Sequence, residues 1–224
     1  MKNKLVLVTL AVVAMGIFAG CQKTDIIADV SKSSFKEVLN TASDSVEKDD
    51  MNGGWSLSAP DDSARFIWSE DYSKSPIHDV MIEFDAAPFI AAGLDVSKLP
   101  DGIVIDDKIM LGTKLGTDKP AYNGESTPEV AFNQIVTLSR DSIGYHQQLD
   151  HYGVDLSEGN MFEWAKDMSK NDKDIVFVVN PEQFIEAGVD TENVEGWVYA
   201  SVTMMDDNGK KIEKMKFLKP FDLK

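Results

Sequence analysis

Apolar positions along the chain switch between two periods. From Ser34 to Val46 they recur at helical spacing, through Phe35, Val38, Leu39, Ala42 and Val46, with Ser34 placed to cap the first turn. Met51-Asn52-Gly53-Gly54 breaks that pattern. Ala64–Trp68 and Val80–Phe84 then read as strands, and Pro88–Ala92 as a short helix stopped by Gly93. Ile103–Ile105 and Ile109–Leu111 add two more strands. The second half repeats the order. A helix starts at Thr127 with Pro128 in its first turn, and strands follow near Met161–Trp164 and Ile175–Val179. A short helix over Pro181–Ala187 precedes Gly188, and a last hairpin runs through Trp197–Met205 and Lys211–Phe217 around Asp207-Asn208-Gly209-Lys210.

The likeness between the halves extends to residue identity. Phe66–Lys74 and Phe162–Lys170 agree at five of nine positions, and 79–99 and 174–194 agree at six of 21. Phe89/Phe184, Gly93/Gly188 and Asp95/Asp190 are among the matches. Upstream, Phe35, Asp44 and Ser45 match Phe132, Asp141 and Ser142. The offset between matched positions drifts from 97 at Phe35/Phe132 to 95 at Phe89/Phe184, as a duplication followed by small loop deletions would produce. The fold expected is α+β: two tandem α-β-β-α-β-β repeats with mainly antiparallel sheet, at 31–116 and 117–224, packed as one domain.

If the second helix continues unbroken through Gly144, Ala131, Ile135, Leu138, Tyr145 and Leu149 share one face. Ser139, Ser142, His146 and Asp150 then lie in the same arc. His146 and Asp150 stand one turn apart, so an imidazole and a carboxylate can touch, as a metal ligand or general base with its orienting acid requires. The alternative is a buried, hydrogen-bonded histidine, or a break at Gly144. His151 points to the opposite side of such a helix and is a poor co-ligand. Trp68 and Trp164, at matching strand positions, are either core anchors or the walls of a ligand cleft.

Composition narrows the classes. The 224 residues carry 22 basic and 38 acidic side chains, a net charge of −16, which opposes binding to nucleic acid. No P-loop, dinucleotide fingerprint, GxSxG or HExxH motif is present, and nothing calls for a cofactor or a metal. The single cysteine, Cys21, excludes an intrachain disulfide.

That cysteine ends the strongest local signal. Lys2 and Lys4 precede an uncharged apolar run from Leu5 to Ala19, and Phe18-Ala19-Gly20 places small residues directly before Cys21. This is the layout of an export signal over residues 1–20. Ile17-Phe18-Ala19-Gly20-Cys21 resembles the lipobox of bacterial lipoproteins. The resemblance implies cleavage before Cys21, a diacylglyceryl thioether on its sulfur, and an acylated amino terminus such as a palmitate. Residues 21–30 would then form a short tether to a body on the extracytoplasmic side of the cell membrane or outer membrane. Gln22 resembles the outer-membrane sorting class. Without Lys2 and Lys4 the charge becomes 20 against 38, or −18.

Three functions fit these features. The leading one is a lipid-anchored binding or interaction module of the cell envelope, whose partner is the membrane at Cys21 and an unidentified small molecule or envelope protein. The others are a metal-binding or hydrolase-type protein centred on His146 and Asp150, and a purely structural envelope lipoprotein.

Overall fold

Two six-stranded antiparallel sheets, with few and short helices, make up a mixed and mostly β fold in the computed structural model. It describes residues 35–115, 126–138, 140–146, 149–170, 173–205 and 211–223. Cys21 and its flanks, the junction at 116–117 and the 207–210 turn lie outside the described residues. No helix among the described residues is long and apolar enough to cross a membrane.

The first half runs α1 (Phe35–Thr41), β1 (Val46–Asp49), β2 (Gly54–Ser58), β3 (Ala64–Ser69), β4 (Val80–Asp85), α2 (Ala87–Ala91), β5 (Val104–Ile105) and β6 (Lys108–Thr113). The second runs α3 (Pro128–Leu138), β7 (Ile143–His146), β8 (His151–Asp155), β9 (Met161–Ala165), β10 (Ile175–Val179), α4 (Glu182–Glu186), β11 (Val198–Met205) and β12 (Lys211–Phe221). Strand order is β1-β2-β3-β4-β6-β5 in one sheet and β7-β8-β9-β10-β12-β11 in the other. The shared element order and strand order suggest a twofold repeat. Each half contains one hairpin more than the α-β-β-α-β-β pattern expected from sequence.

Strand β7 lies where the second helix was expected to continue, and of the β1–β2 hairpin only Val46 lies in expected helix. The first helix stops at Thr41 rather than Val46, and the second at Leu138 rather than near Leu149. Ser43–Ser45 and Arg140–Ser142 follow as single 3-10 turns. Asn40, Thr41, Ser43, Asp44 and Ser45 are poor helix residues because their side chains compete for the backbone. Beyond the turns a period of two takes over. Ile143 faces Val154 and Tyr145 faces Tyr152 across β7 and β8, while Gly144 faces Gly153 and His146 faces His151 on the opposite side.

The halves meet through their inner faces. Phe66 stacks on Phe162 with centroids 3.9 Å apart, and Phe35 stacks on Phe132 at 3.4 Å. Phe89 touches Phe184 at 5.1 Å. In each case a residue contacts its own counterpart from the other half. The backbone does the same: Asp95 N–H donates to Ala187 O at 2.9 Å, and Asp190 N–H donates to Ala92 O at 2.8 Å. One core cluster draws on both halves as a result. Helix α3 also crosses onto the first sheet, where Trp68 Nε1 donates to Pro128 O at 3.1 Å and Gln134 Nε2 donates to Glu70 O at 2.7 Å.

Candidate functional site

The residues singled out from sequence end in three different places. Trp68 and Trp164 have no exposed surface. Both pack edge-on against Phe35 and Phe132 at the junction of the halves, which makes them core anchors rather than cleft walls. Trp55 and Trp197 are only partly buried. Acrylamide is therefore expected to quench the fluorescence of Trp55 and Trp197 and spare Trp68 and Trp164. Single-tryptophan variants check this, and quenching of Trp68 in the folded protein would contradict the packing.

His146 and Asp150 do not pair, because the helix that would align them is a β-hairpin. Asp150 occupies its turn at φ 53° and accepts a hydrogen bond from Tyr145 Oη at 2.5 Å. Burial together with this carboxylate pushes the Tyr145 phenol up to about 12. His146 instead shares with His151, its register partner, the sheet face opposite Tyr145 and Tyr152, and both approach Glu163 on β9. Glu163 Oε2 lies 3.3 Å from His146 Nδ1 and 3.8 Å from His151 Nδ1. Gly153 stands directly opposite Glu163 in the register, and a Cβ there would come within 3.3 Å of Glu163 Cγ. Glycine at 153 thus leaves the slot in which the carboxylate lies. His151 Nε2 sits 3.1 Å from Lys173 O. A carbonyl only accepts, so Nε2 carries the proton and Nδ1 is turned toward the carboxylate.

All three side chains are buried, at 3%, 2% and 1% exposure for His146, His151 and Glu163. Burial alone would raise the Glu163 carboxyl. Hydrogen bonding and charge from His146 and His151 outweigh that effect and hold it below the ordinary glutamate value. Among the described residues, no group of three or more His, Cys, Asp or Glu is placed to hold a metal ion. Sequence reasoning set His151 aside and passed over Glu163. The available signal was alternation: in Met161-Phe162-Glu163-Trp164-Ala165 the glutamate is the one charge in a strand buried at every position.

The other notable site lies at the far end of the same sheet. A cavity of about 470 Å³ opens there, with Lys216 on its floor and Glu158, Glu182, Glu186 and Lys214 exposed at its rim. This volume falls within the range of small-ligand pockets. Lys216 is 1% exposed, and its Nζ donates to Gly159 O at 2.9 Å. Burial, with Lys214 adding to it, pushes the Lys216 ammonium down to about 8. Ser157, Glu158 and Gly159 hold three successive positive φ angles, 67°, 52° and 75°, and so turn the Gly159 carbonyl onto the ammonium. A Cβ at 159 would lie 2.7 Å from Nζ.

A third cluster has a structural explanation. Asp79 accepts from Ser75 Oγ at 2.5 Å and from Leu115 N–H at 2.6 Å, with Lys114 nearby. Its counterpart Asp174 accepts from Leu223 N–H at 2.9 Å in the same way. Both aspartates tie the chain just past the last strand of their half, β6 or β12, back to the sheet. No protein-family model, no curated protein and no solved structure matches the chain.

Proposed function

We propose that the chain is a lipid-anchored binding module of the bacterial cell envelope, built as two tandem copies of one α+β unit. The cavity over Lys216 carries the binding half of this reading, since it offers a concave site with charged groups in a fixed frame. The anchor rests on Ile17–Cys21, and the charge of −18 after loss of Lys2 and Lys4 favours partners other than nucleic acid. The His146–Glu163–His151 cluster is buried and joins the β7–β8 hairpin to β9.

Replacement of Cys21 by alanine tests the anchor. The wild-type chain is expected in the membrane fraction, released only by detergent, and Cys21→Ala in the soluble fraction. Each buried acyl methylene contributes about 0.8 kcal/mol, so loss of two or three chains abolishes attachment. Retention of Cys21→Ala on membranes, with its apolar leader removed, would defeat the lipid anchor.

A further inference from the structure

The two halves differ at one equivalent position in a way that points to a ligand. In the first sheet, Asp85 faces Lys108 across β4 and β6, and their side chains form an ion pair at 2.5 Å. In the second sheet the register Val179–Phe217 brings Asn180 opposite Lys216. Asn180 is the counterpart of Asp85, and Lys216 that of Lys108. The lysine is kept and its carboxylate is replaced by an amide.

The consequence is an ammonium that forms no salt bridge among the described residues. Among the described residues, neither Lys216 nor Lys214 has a carboxylate within 4.0 Å, and Gly159 O takes only one of the three Lys216 N–H bonds. The carboxylates of Glu158, Glu182 and Glu186 line the same cavity without forming a salt bridge to either lysine. A purely anionic ligand would meet three carboxylates, and a purely cationic one would meet two ammonium groups. A ligand carrying both signs satisfies both walls.

We infer that the cavity over Lys216 binds a zwitterion of amino-acid or short-peptide size, its carboxylate on Lys216 and Lys214 and its ammonium on the glutamates at the rim. This rests on the binding-module reading and names the chemistry of that site. Asn180 and Gln183 add neutral donors and acceptors to the wall.

The test uses the full chain in detergent and calorimetric titration with L-alanine and with L-alanyl-L-alanine. Binding of alanine alone assigns a free amino acid, and binding of the dipeptide assigns a peptide. N-acetylation or C-amidation of the ligand that binds is expected to weaken it about tenfold or more. The decisive variant is Asn180→Asp, which rebuilds the ion pair of the first half and neutralises Lys216. It is expected to bind about tenfold more weakly while melting at or above the wild-type temperature. Lys216→Gln, which keeps a donor for Gly159 O, is expected to weaken binding likewise, and Lys108→Gln to leave it unchanged. Absence of binding of both zwitterions at about 10 mM would overturn the inference. So would equal binding of the capped ligands, or wild-type affinity in Asn180→Asp. Membrane fractionation of the same preparations reads the anchor separately, so a chain that stays on membranes and binds neither ligand removes the zwitterion alone.

Discussion

Gly93→Ala is expected to lower the unfolding free energy by about 3 kcal/mol, a large fraction of the roughly 5–15 kcal/mol of a typical domain. Two costs combine. The residue sits at φ 104°, where an L side chain is strained, and an added Cβ would lie 2.9 Å from the carbonyl oxygen of Gly188. That oxygen belongs to backbone, so no side chain can rotate away. Gly188→Ala is expected to cost a similar amount, since φ is 101° and its Cβ would lie 3.1 Å from Gly93 O. The double variant separates strain from clash. Either Cβ forces the two short helices apart at the same place, so the pair is expected to cost less than the sum of the singles. Urea denaturation of the three variants measures this, and single losses below about 1 kcal/mol would refute the close approach.

Glu163→Gln is the other substitution with a large expected effect, about 3 kcal/mol at neutral pH. A carboxylate buried between two imidazoles is replaced by an amide of the same shape without its charge. Its signature is the pH dependence. The histidines hold the Glu163 carboxyl below its ordinary value of 4.5 in the folded chain. A carboxyl lowered on folding stabilises fully above its unfolded value, and that stability is lost as pH falls through the folded value. The gap between wild type and Glu163→Gln is therefore expected to be widest at neutral pH and to close below about pH 4.5. Denaturation midpoints measured from pH 7 down to pH 3 give the result directly, and a constant gap over that range would exclude the carboxylate as its source.

The inner faces of both sheets were legible in sequence, and the reason is their apolar periodicity. Phe66, Trp68, Val80, Ile82 and Phe84 alternate with outward residues, and Phe162, Trp164, Ile175 and Phe177 repeat them. Gly93 and Gly188 were also legible as helix stops, although not as the point where the halves touch. The β1 and β7 hairpins were not. Val46-Glu47-Lys48-Asp49 has too few apolar residues to announce a strand, and it lies at a sheet edge where little is buried. Ile143 and Tyr145 fit a helical face as well as an alternating one, so the apolar pattern left the helix end open between Leu138 and Leu149. The helical option set His146 beside Asp150 and hid its neighbour Glu163. Lys216 was out of reach for a different reason. Its equivalence to Lys108 depends on strand register, and the longer β11–β12 hairpin removes the regular offset that links the earlier elements.

The reciprocal stacking of Phe66 on Phe162 and Phe35 on Phe132 bears on how the molecule comes apart. A half separated from its mate would hold these rings, together with Phe89 or Phe184, against water, with nothing of its own to close over them. Neither sheet is a self-sufficient folding unit, and thermal disruption of one necessarily strips the other.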